Sequence, residues 1–101
     1  MPNYLLITRP ARRGNNQNDP QAWMSWFESI AKYVVEDGSP FRPGAVEVSG
    51  PDRPRTIREP FNGFTIIRAS NYGQAVDIAR RSPAGDQDSS STMEVYELSR
   101  S

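Results

Sequence analysis

At 101 residues the chain is long enough for one hydrophobic core and too short for two independent ones, so residues 1–101 are expected to form one domain. Twelve basic residues balance twelve acidic ones, which leaves no overall field to attract nucleic acid or an anionic membrane. Cysteine and histidine are both absent, and this excludes disulfides, thiol nucleophiles, thiolate or imidazole metal ligands and any imidazole general base.

The first apolar segment, Tyr4-Leu5-Leu6-Ile7, is short, rich in strand formers and closed by Arg9-Pro10, which predicts a strand over residues 3–9. It follows no basic segment, and nowhere does an apolar run reach the roughly 18 residues that a membrane span needs. A cytoplasmic, unanchored protein is the expectation. Ala11 to Asp19 is polar and aperiodic and reads as a loop, after which Asp19-Pro20 supplies an N-cap and a proline suited to the first helical position. Trp23, Trp26, Phe27, Ile30, Ala31 and Val34 then recur at three- and four-residue steps, while Ser25, Glu28, Ser29, Lys32 and Glu36 fall opposite. Gly38 followed by Pro40 resembles a helix stop, so the predicted helix runs over 20–37.

A second strand is predicted over 42–49, where alternation appears only after Pro43, and Gly50 to Arg55 is a turn by composition. Residues 62–69, with Phe64, Ile66 and Ile67, form the strongest central strand. Asn71 is a candidate N-cap for a helix through about Arg81, with Tyr72, Ala75, Val76 and Ala79 on one face and Ile78 at its margin. A polar loop over 82–91 precedes an alternating last strand over 92–98. The order is β-α-β-β-α-β, which predicts an α+β ferredoxin-like sandwich: a four-stranded antiparallel sheet with two helices on one face. Apolar residues face both ways in its strands: Phe64 and Ile66 point one way while Thr65, Ile67 and Ala69 point the other, and in the first strand Leu5 and Ile7 oppose Tyr4 and Leu6. Burying both sides calls for a second copy of the chain, so a homodimer with a pocket between its sheets is expected.

Several strings, taken in order, resemble the YCII-related family, in particular its Asp-Gly-Pro-Phe branch of dimeric α/β-barrel proteins. They are Tyr4-Leu5-Leu6-Ile7, Trp23-Met24-Ser25-Trp26-Phe27, Gly38-Ser39-Pro40-Phe41-Arg42-Pro43, Pro60-Phe61 and Glu94-Val95-Tyr96. The resemblance implies a ferredoxin-like fold, dimerisation and a cleft, but no particular activity. Arg58-Glu59-Pro60-Phe61 stands where the branch carries its motif, so the aspartate and glycine are missing. A histidine-aspartate pair proposed as catalytic in some YCII-like proteins cannot exist in a chain without histidine.

The candidate ligand-binding residues are Arg58 and Glu59, at the motif position, and Glu94 and Tyr96, which alternate with Met93 and Val95 and so face the expected pocket. A solvated loop pair is the commoner fate of the first two, and hydrogen bonding across an interface that of the second two. Arg9, Arg12 and Arg13 form a possible anion cluster, more often a solvated surface. Trp23, Trp26 and Phe27 form a possible stacking platform, more often core. Asp86 and Asp88 lack the ligand number of a calcium loop, so no metal is assigned, nor any cofactor. These features suggest a homodimer that binds a small organic molecule. The alternative is a cofactor-independent isomerase, lyase or monooxygenase using an acid or base among Arg58, Glu59, Glu94 and Tyr96. A nucleic-acid-binding sandwich, which would need a basic surface beside exposed aromatics, ranks last.

Overall fold

A computed structural model describes residues 1–9, 20–42, 44–85 and 91–99. The predicted loop before Pro20, with Asp19, Arg12 and Arg13, and the aspartates Asp86 and Asp88 lie outside the described residues. In chain order the elements are β1 (Asn3–Arg9), α1 (Pro20–Ser29), a 3-10 turn (Ala31–Tyr33), β2 (Val34–Pro40), β3 (Val46–Glu47), β4 (Arg55–Thr56), β5 (Gly63–Arg68), α2 (Tyr72–Arg80), a second 3-10 turn (Pro83–Gly85) and β6 (Thr92–Glu97). Four strands form one antiparallel sheet in the order β2-β5-β1-β6, and β3 pairs with β4 in a separate two-stranded ribbon. This order is consistent with a ferredoxin-like sandwich.

Strand parity decides which side chains the helices cover. Tyr4 lies opposite Ile67 and Leu6 opposite Thr65, so these four share a face, and all are buried. Trp26 and Ile30 from the α1 side and Ala75, Ile78 and Ala79 from α2 close over them. Both helices therefore lie on one face of the sheet. Ala75 and Ala79 let α2 approach closely, and the indole Nε1–H of Trp26 donates to the Ile78 carbonyl at 2.9 Å, tying the helices together inside the core. Trp26 also meets Trp23 and Phe27 edge-on, with ring centroids 5.6 and 4.9 Å away. At α2 the Asn71 side chain accepts from the Gln74 amide at 2.9 Å, the cap that the sequence leads one to expect.

Two predicted elements are corrected. The helix expected over 20–37 ends at Ser29, and Val34–Pro40 is a strand. Val34 and Val35 are β-branched and stiff at χ1, and β5 offers them an unpaired edge. Val34 still points into the core from its place opposite Ile67, so the apolar spacing runs on after the helix has stopped. The strand expected over 42–49 does not join the main sheet. Only Val46–Glu47 is extended there, paired with Arg55–Thr56, and its side chains are exposed.

Gly38, which resembles a helix stop in the sequence, is instead a bulge residue. Register shifts between Val34 and Glu36 and between Glu36 and Ser39 give β2 extra residues against β5. Gly38 sits in the second shift with φ +77°, and a Cβ there would stand 1.7 Å from the Phe64 carbonyl oxygen. The Thr65 hydroxyl donates to the Asp37 carbonyl at 3.2 Å across the same bulge. Replacing Gly38 by Ala is expected to cost about 3 kcal/mol or more, since left-handed backbone and a steric overlap combine. Gly44→Ala, at φ +100° with nothing within 4 Å, is expected to cost about 1 kcal/mol. Urea unfolding of the two variants checks this, and equal costs would contradict the bulge assignment.

Candidate functional site

The opposite parity leaves a second sheet face. Leu5 and Ile7 of β1 and Phe64 and Ile66 of β5 point there and are half-buried, with Tyr96 opposite Leu5 and Glu94 opposite Ile7. Met93 and Val95 face the helices, so the alternation expected in the last strand holds. Phe41 stacks on Phe64 with centroids 5.9 Å apart and is 44% exposed, and Tyr96 is 48% exposed.

A polar group lies within this apolar field. The Tyr96 hydroxyl donates to a carboxylate oxygen of Glu94, its neighbour two residues back on the same face. Arg9, at the end of β1 and of the same parity, places its guanidinium carbon 4.4 Å from the centre of the Phe61 ring. Its Nε is a buried donor without an acceptor among the described residues. The hydrogen bond to Glu94 pushes the Tyr96 phenol above its ordinary value, the Glu94 charge and partial desolvation push the same way, and the Arg9 charge opposes them. On the helix side, burial pushes the Tyr4 phenol up, with the Glu97 carboxylate adding to the effect.

Glu94 and Tyr96 are therefore brought together. Arg58 and Glu59 are exposed positions in the stretch from β4 to β5 and do not join the groups that perturb Tyr96. Arg9 was legible only as part of a basic run. Its parity with Leu5 and Ile7 is the signal that places it beside Tyr96.

A separate hollow lies elsewhere among the described residues. A cleft of about 760 Å³ opens on the helix side, between α1 and the β2 end of the sheet, walled by Trp23, Trp26, Phe27, Val34 and Met93. None of Arg58, Glu59, Glu94 and Tyr96 lines it. The aromatic cluster that reads in the sequence as core is core on one side and cleft wall on the other, for Trp26 is buried while Trp23 and Phe27 are half-exposed. Among the described residues no cluster of acidic side chains is suited to a metal ion, and no helix is long and apolar enough to cross a membrane.

Compared with protein-family models, with curated proteins and with solved structures, the chain gives no significant match.

The Tyr96 geometry has a measurable sign. With ¹³Cζ-labelled tyrosine, NMR titration should place Tyr96 above the ordinary value of 10.0. Glu94→Gln should lower it by removing the carboxylate that favours the neutral phenol, and Arg9→Gln should raise it. A Tyr96 resonance indifferent to both changes would show that the three groups do not interact in solution.

Proposed function

We propose that this chain is a homodimeric binding domain, paired through its open sheet faces in the manner of a dimeric α/β barrel, with a small organic ligand held between them. The observation that carries the proposal is the composition of that face. Leu5, Ile7, Phe64 and Ile66 form an apolar field extended by the exposed rings of Phe41 and Tyr96. Such a field is worth roughly 25 cal/mol for each Å² removed from water, and a second copy presents the same field in return.

The polar group gives the enclosed space its chemistry. Arg9 offers a buried Nε–H that lacks an acceptor among the described residues, while the Tyr96 O–H is already given to Glu94. A ligand with a carbonyl or carboxylate oxygen fits the Arg9 donor, and an apolar body fits the surrounding side chains. The resemblance to the YCII-related family supports the same assembly. Glu94 and Tyr96 are the ligand-facing pair on this reading, with Arg9 as their third member, while Arg58 and Glu59 are exposed in the stretch from β4 to β5.

Sedimentation velocity tests the assembly: the chain should sediment at twice its monomer mass at micromolar concentration. Tyr96→Asp, which sets a second carboxylate beside Glu94 and its symmetry mate, should weaken association at least tenfold while leaving the far-ultraviolet circular dichroism unchanged. A wild-type chain that stays monomeric up to millimolar concentration would refute the proposal.

A further inference from the structure

The helix-side cleft has a wall chemistry of its own. Its volume of about 760 Å³ is within the roughly 300–1,000 Å³ of small-molecule sites. The two tryptophans of the chain, Trp23 and Trp26, stand one turn apart on α1, and both line the cleft beside Phe27. Val34 and Met93 complete the apolar wall from two strands of the sheet, so the space has ring faces on one side and a thioether and a branched aliphatic group on the other.

The rim is polar but mostly neutral. Asn62 and Ser39 contribute an amide and a hydroxyl, and Asp37 is the one charged side chain among the described residues that line the cleft. The exposed Asp37 beside the cleft disfavours an anion and leaves a neutral ring system unopposed. Two polar groups of the lining are already engaged: the Thr65 hydroxyl donates to the Asp37 carbonyl, and the Trp26 indole N–H donates to that of Ile78. The aromatic and aliphatic side chains supply most of the remaining wall.

We infer that the cleft between α1 and the β2 end of the sheet binds an apolar, ring-containing molecule without negative charge, stacked against Trp23 and Phe27. Trp23, Trp26 and Met93 of this site are on the opposite face of the sheet from Arg9, Glu94 and Tyr96. The two sites select differently, since the sheet face offers an arginine to an oxygen acceptor and the cleft offers ring faces under a carboxylate.

Both tryptophans line the cleft, so intrinsic fluorescence reads occupancy directly. Titration with neutral N-phenyl-1-naphthylamine should quench tryptophan emission saturably, with one molecule bound per chain. The anionic analogue 8-anilinonaphthalene-1-sulfonate, which shares the ring skeleton, should bind at least tenfold more weakly. Ala31→Phe, at an exposed position on the cleft lining, should weaken the neutral probe at least tenfold, whereas Val48→Ser on the exposed β3–β4 ribbon should leave it unchanged. In wild-type protein both indole N–H cross-peaks should shift on addition of the neutral probe, a measurement independent of how any variant folds. Non-saturable quenching, equal affinity for the sulfonate, indole resonances that do not move, or a folded Ala31→Phe protein with undiminished affinity would overturn the inference.

Discussion

The two-residue alternation of β1 and β5 is the constraint on which the rest of this structure depends. Because successive side chains of a strand point to opposite sides, pairing Tyr4 with Ile67 and Leu6 with Thr65 commits these residues to one face and Leu5, Ile7, Phe64 and Ile66 to the other. The first set is sealed by Trp26, Ile30, Ala75, Ile78 and Ala79. A slip of one residue in either strand would exchange the sets, exposing the helix-facing core and burying the Arg9 parity. The core, the cleft and the open face are three consequences of one register.

Within that frame the indole of Trp26 does two things at once. Its buried body fills the space between α1 and the sheet, and its N–H satisfies a carbonyl near the end of α2, so the two helices are fixed relative to each other by a directional contact as well as by packing. Trp23, one turn earlier, has no comparable depth to occupy and remains half-exposed. The difference in burial between two residues of the same type, three positions apart, opens the cleft. The bulges of β2 contribute from the other side, because extra residues against β5 bend the strand at the cleft wall.

The two faces carry different chemistry. On the open face a carboxylate, a phenol and a guanidinium stand among apolar side chains. On the helix side, aromatic faces and a methionine border a space whose one described charge is negative.

The α+β class, the first, fifth and sixth strands and the second helix with its Asn71 cap were determined by the sequence alone, because local propensity and periodicity agree there with the tertiary fold. The facing of Glu94 and Tyr96 followed from alternation for the same reason. Where α1 stops was decided by tertiary structure: Val34 serves the core equally from a helix or from a strand, and the free edge of β5 chose the strand. Gly38 reads as a helix stop in the chain and becomes a bulge only when the Phe64 carbonyl crosses its missing side chain. The cleft too belongs to tertiary structure, since no spacing of Trp23, Trp26 and Phe27 tells which ring will be enclosed and which left at a wall. The depth at which each ring sits depends on how far a helix stands off its sheet, and that distance is set by residues remote in sequence.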